Sequence, residues 1–215
     1  MTPAPTRGWV SPELLTEYGE VALWWTTVRV AGVAAAQNRD RLRHISNSYR
    51  GADVVRVHGR TAAHEVYRTF ARQVGIDPDR TLMRADAAAR TSIVTGRLVS
   101  LGPVPDALLA VAVTSGVPVW ALDAATVTGD PELRVARTGE RLGRRRFRST
   151  PPVDPGTIVV ADDDGPLALL LAEPAAAHDG ARARTVLLYA VGVPDVPEWE
   201  VSEAIWSVAR FLDGT

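Results

Sequence analysis

The chain predicts a mixed α/β (α+β) domain, one mixed sheet flanked by helices. Three observations carry this expectation. A β-branched and aromatic run, VALWWTTVRV at 21–30, reads as a buried strand. Helix-type periodicity dominates the middle of the chain. From Val117 the pattern changes to short apolar runs separated by turns, and closes on one more helix. Strands and helices do not alternate in the regular order of a βαβ array. With 215 residues, 46% hydrophobic and 23% charged, the chain has the length and composition of a packed globular domain.

Taken in order, residues 1–10 read as a flexible tail and 11–215 as a single domain. Ser11-Pro12-Glu13 reads as a helix start, with Pro at the first helical position. Segment 31–45 fits either a polar helix or a loop. Segment 61–74 is the clearest helix: Ala63, Val66, Tyr67, Phe70 and Val74 fall at helical spacing, Thr61 suits the cap and Gly75 the stop. Further helices are expected at 86–96 and 105–115, the second opening on Pro105 and ending before Gly116. Strands are expected at 117–122, 132–137, 157–161, 167–171 and 186–191. A C-terminal helix after Pro197 aligns Val201, Ile205, Val208 and Leu212 on one face.

Composition removes several function classes. Cys is absent, which excludes disulfides, thiolate catalysis and Cys-based metal sites. The four His (His44, His58, His64 and His178) show no metal-ligand spacing, so no metal or other cofactor is expected. All 24 basic residues are Arg, so no Lys is present to form a Schiff base. There is no P-loop, no G-x-G-x-x-G after a strand and no G-x-S-x-G elbow. The net charge of -1 gives no global attraction to DNA or other nucleic acid. No apolar run reaches the roughly 18 residues that span a bilayer, and MTPAPTRGWV lacks the apolar stretch of a secretory leader. A cytoplasmic protein without membrane contact is the expectation.

The most informative stretch reads VPVWALDAATVTGDPELRVARTGERL from Val117 and then DPGTIVVADDDGPLALLLAEP from Asp154. Upstream lie Glu65, Tyr67, Arg68 and Phe70, followed by Gly75-Ile76-Asp77-Pro78. The order resembles the editing domain of the phenylalanyl-tRNA synthetase beta subunit (its B-three/B-four module) and freestanding relatives of that domain. Those proteins carry segments like W-R-x-x-Y-R-x-F-G-x-x-P, QPxHAFD, G-x-x-x-x-R-x-A-x-x-GE-x-L and VIADxxxPLALxGxxGG. The resemblance covers about two thirds of the chain, from Tyr67 to Val193. It implies an editing-type fold, aminoacylated tRNA as partner, and hydrolysis of a wrongly attached amino acid. Such hydrolysis needs an oriented water, donors for the oxyanion and a side-chain pocket.

The resemblance breaks at the positions where it implies chemistry. Trp120 stands where the family has His. A family Asn falls on Leu108 or Leu109. The glycine-rich turn falls on 171–176, and Ala175 or Ala176 occupies the place of the Glu that follows it. The implied pocket is therefore remodelled. Glu173 and His178 are the catalytic candidates nearest to it. Trp120 either walls the pocket, stacking on a ring, or fills it. Asp123 suits capping of the following turn. Arg134 suits either a carboxylate pair or a contact to substrate phosphate or carboxylate. Segment 134–148 holds seven Arg against Glu140 alone, and Arg141, Arg144, Arg145, Arg146 and Arg148 form the expected RNA-binding patch. The run Asp162-Asp163-Asp164-Gly165 fits a strand-to-strand turn better than a cation loop. His64, with Arg68 one helical turn on, is expected on a solvent-facing helix side.

The function expected first is a freestanding aminoacyl-tRNA deacylase with a remodelled amino-acid pocket. The alternatives are a non-catalytic module that binds tRNA, an amino acid or a protein, and a repurposed enzyme of small-molecule biosynthesis with a small-molecule ligand.

Overall fold

The computed structural model describes residues 3–48, 62–80, 86–87, 91, 95–143, 151–174 and 184–214. The strands form two four-stranded sheets. The first has the order β1 (Thr6–Arg7), β3 (Ala22–Arg29), β8 (Thr185–Gly192), β4 (Trp120–Asp123), all antiparallel. The second has the order β2 (Trp9–Val10), β5 (Glu132–Val135), β6 (Ile158–Asp162), β7 (Gly165–Leu169), and is mixed because β2 runs parallel to β5. Five α-helices accompany them among the described residues: α1 (Pro12–Tyr18), α2 (Ala34–Ser48), α3 (Ala62–Gln73), α4 (Pro103–Ser115) and α5 (Glu198–Asp213). The architecture is α+β.

The central strand of the first sheet is β8, covered on both faces, and Val186–Val191 are buried throughout. That is why its sequence VLLYAV is continuously apolar instead of alternating. Helix α5 packs on β3 and β8, with α4 and α2 beside it. Val201, Ile205, Val208 and Leu212 face the interior, as their spacing predicts. On α3 the Tyr67 hydroxyl donates to the Val191 carbonyl at 2.6 Å, tying that helix to β8.

The second sheet has two apolar faces. Leu133, Val160 and Ala168 join the main core, which also holds Leu23, Trp120 and Tyr189 of the first sheet. The opposite face carries a small cluster of Ala136, Val153, Val159 and Ala161. This is the period-2 alternation of a strand covered on both sides.

Several expectations are corrected. The expected loose tail at 1–10 is strand at Thr6–Arg7 and Trp9–Val10, one piece in each sheet. Gly8 sits between the two pieces. A Cβ there would lie 2.9 Å from both the Leu23 side chain and the Pro131 carbonyl, so only glycine lets the strap pass. Segment 31–45 resolves as helix α2, held by Asn38, whose side-chain amide donates to the Pro103 carbonyl at 3.0 Å. Helix α4 starts at Pro103, two residues before the expected Pro105. There the buried Asp106 carboxylate accepts from the Leu101 and Gly102 amides and fixes the preceding loop. The strand expected at 117–122 begins only at Trp120. Thr61 and most of the helix expected at 86–96 lie outside the described residues.

No helix among the described residues is long and apolar enough to cross a membrane.

Candidate functional site

The residues singled out by sequence fall into three separate places. Trp120 opens β4, pairs in register with Tyr189 and stacks on its ring, the centroids 5.6 Å apart. Only 4% of its surface is exposed, and its neighbours are core side chains. Its ring is packed in the interior against Tyr189. Asp123 ends the same strand and accepts from the Ala125 amide at 3.0 Å, capping a 3-10 turn at Ala124–Thr126.

Arg134 lies on the far face of the second sheet. Its Nε donates to Glu132 at 2.6 Å, and its two terminal nitrogens form a fork on Glu140 at 2.8 and 2.7 Å. The Glu140 carboxylate also accepts from the Arg137 amide at 2.7 Å. The hydrogen bond from Arg134 holds the Glu140 carboxyl below its ordinary range. Every nitrogen of this guanidinium is engaged inside the protein, which leaves no fork for a substrate.

The Asp-Asp-Asp-Gly run forms the β6–β7 turn, Asp162 pairing with Gly165. The buried Asp162 carboxylate accepts from the amides of Thr128, Asp164 and Gly165, joining this turn to the loop before β5. Among the described residues no group of three His, Asp or Glu is placed to hold a metal ion.

His64 is a correction. It is 3% exposed, not solvent-facing, and its Nε2 lies 3.1 Å from Asp86. Arg68 bonds the other Asp86 oxygen at 3.2 Å and reaches Asp79 at 2.6 Å. A helix wheel places His64 and Arg68 on one face but does not show that Asp86 covers it.

The site that collects the motif segments is a cleft of about 450 Å³. Gly75 and Ile76 line it after α3, Pro155 and Gly156 line it before β6, and Leu169, Leu170 and Ala172 line it after β7. Tyr18 closes one side from the end of α1, braced edge-on by Phe70 with ring centroids 5.7 Å apart. Thr157 adds a hydroxyl. Burial, with the phenol's hydrogen bond to the Glu17 carboxylate, raises Tyr18 above its ordinary value, so it stays protonated. Trp120, Asp123, Arg134 and Glu173 are not among the described lining residues. Glu173 is exposed and follows Ala172 directly. His178, Arg144, Arg145, Arg146 and Arg148 lie outside the described residues, and Arg141 is exposed at the start of that stretch.

Backbone geometry marks the same corner. Leu171 has φ 56, a left-handed conformation that glycine adopts freely and leucine rarely does. It stands where the resemblance places a glycine-rich turn. The turn keeps the glycine-type backbone while its side chain is buried in the core. Gly75, Pro155-Gly156 and the segment from Leu171 were each visible in the sequence as motif pieces. Their convergence on one cleft was not, and nothing in the sequence singles out Tyr18.

Comparison with protein-family models finds no match, and neither does comparison with curated proteins.

Proposed function

We propose that the chain is an editing-type domain that receives the aminoacyl end of a charged tRNA in the cleft beside Leu171. One observation carries the reading: three chain segments quoted for the resemblance meet around one cavity of ligand size, through Gly75 and Ile76, Pro155 and Gly156, and Leu169, Leu170 and Ala172. The half-polar, half-apolar wall suits an amino-acid ester, with the side chain against Ile76 and Leu170. The Thr157 hydroxyl can donate to its polar atoms, and the Tyr18 phenol oxygen, whose proton goes to Glu17, can accept. On this reading the partner is aminoacylated tRNA and the protein's place is the cytoplasm.

The reaction would be ester hydrolysis by a water held against the carbonyl. Tyr18 is the only ionisable side chain among the described lining residues, and a protonated phenol is a donor, not a base. The water's proton then passes through the neighbouring ribose hydroxyl of the substrate, or through Glu173 beside the cleft, to the ribose oxygen that departs as the ester bond breaks. The same observation favours a second reading, a module that binds the aminoacyl group without turning it over. A lost general base lowers the rate by about 10² to 10⁴.

A panel of aminoacylated tRNAs separates the two. Release of amino acid that is abolished by Ala172→Trp, which fills the cleft, supports the hydrolase. Protection of the ester, again lost in Ala172→Trp, supports the binding module. Neither release nor protection with any member of the panel rejects both.

A further inference from the structure

A second cavity, of about 520 Å³, lies between α2 and the segment leading into α4. Arg39 and Arg43, one helical turn apart, stand on one wall, and Arg97 stands on the other. Leu42, Leu98 and Val99 supply the apolar part. No carboxylate is among the described lining residues; Asp40, which pairs with Arg43, sits outside it. Buried contacts anchor the backbone of both walls. Leu42 is buried with Leu109 and Val113, and Leu98 packs on that cluster. The Leu98 amide donates to Ser46 Oγ at 3.0 Å. Beyond it, Ser100 and the Leu101 amide bond the buried Asp106 at 2.5 and 2.8 Å. Val99 is nonetheless exposed at 39%, and with Leu98 it forms an apolar ledge in the same cavity as three guanidiniums.

We infer that this groove binds a nucleotide phosphate, with Arg39, Arg43 and Arg97 around the anion and the sugar and base against Leu98 and Val99. The chemistry selects the ligand. Guanidinium forks match phosphate oxygens in pairs. An apolar ledge next to them suits the flat, weakly polar face of a base. An inorganic anion would leave the ledge unused, and an apolar ligand would leave the cations unused. Fixed walls spare the ordering cost that a mobile loop would impose. The site lies apart from the cleft beside Leu171, so this inference stands or falls independently of that reading.

The nucleotide has two sources, free in solution or within a strand, and calorimetric titration with four probes distinguishes them. The probes are adenosine monophosphate, adenosine, inorganic phosphate and a short oligoadenylate. If the site takes a free nucleotide, adenosine monophosphate binds more tightly than adenosine or phosphate, and the strand gains nothing over it. If the site takes a strand, the oligoadenylate binds tightest, and its affinity falls with salt. The double variant Arg39→Gln, Arg97→Gln weakens the preferred probe by about tenfold per guanidinium. For a strand it also lowers the salt slope by about 1.4. Both arginines are exposed, so the variant keeps the wild-type melting curve; Arg97→Glu serves as a second, charge-reversing variant. Ala172→Trp leaves this binding intact. Binding of the phosphorylated probes no tighter than adenosine, or binding indifferent to both variants, overturns the inference.

Discussion

Trp120 on β4 and Tyr189 on β8 are register partners whose rings stack with their planes only 19° apart. The pair forms part of the apolar seam of the first sheet. Trp120→Ala removes a large buried ring and is expected to cost about 3–5 kcal/mol of stability, measured by urea unfolding. Trp120→His restores the residue type that the resemblance calls for. It should destabilise the protein and add no hydrolysis of aminoacyl-tRNA, because the imidazole would sit in the core. A gain in hydrolysis with stability unchanged would show that the position opens onto a reaction site.

Arg134 and Glu140 make a different kind of joint. The Glu140 carboxyl is held below its ordinary range by hydrogen bonding to Arg134. A depressed carboxyl pKa contributes stability above its unfolded value, and that contribution is lost as pH falls through the folded value. Glu140→Gln should therefore destabilise at neutral pH and show a shallower loss of stability below about pH 4.5 than the wild type. Arg134→Lys keeps the charge but cannot reproduce the fork, and should cost about 1.5–3 kcal/mol for the lost charge-assisted hydrogen bonding. Equal acid profiles for wild type and Glu140→Gln would remove this pair from the account.

Asp86 extends the same reasoning to α3. Burial pushes its carboxyl up, but hydrogen bonding to His64 and the charge of Arg68 outweigh this and leave it below the ordinary value. Asp86→Asn should lower stability at neutral pH and lessen the acid-induced loss as pH falls through the folded Asp86 pKa. A melting series across pH, wild type against variant, reads this directly. Parallel curves would contradict it.

Leu171 offers a test that reverses an ordinary ranking. At most positions glycine is less stable than alanine, because it gives up more chain entropy on folding. At φ 56 an alanine keeps the left-handed strain, worth about 1–2 kcal/mol, and a glycine does not. Both variants lose the buried side chain, so both fall below the wild type. Leu171→Gly should nonetheless melt above Leu171→Ala. The opposite order would mean that the turn relaxes once the leucine is removed.

Periodicity and punctuation carried much of the fold. The 3.6-residue spacing around Tyr67 and Phe70, the Pro and Gly bounds of the helices, and the Asp-Gly turn at Gly165 all depend on local chemistry. Pairing across the chain does not. Nothing local in Trp9-Val10 specifies that its partner is Glu132-Leu133. Nor does the helix around His64 reveal that Asp86 covers it. The pocket residues suffered the same limit. Trp120 and Arg134 were recognisable as unusual side chains, but only their three-dimensional neighbours show both engaged with the protein itself. The groove at Arg39, Arg43 and Arg97 joins residues over 50 positions apart, whereas the sequence drew attention to the denser run at 134–148.

The strap at Thr6–Val10 sets the order in which the protein can be completed. These residues precede their partners in the chain: β5 is synthesised only after residue 131, and β3 waits for β8 at Thr185–Gly192. Both sheets therefore depend on pairings between distant parts of the chain, the kind that form slowly. The strap is made before most of either sheet yet docks late, and it adds one uninterrupted piece of backbone to two sheets that already share a core.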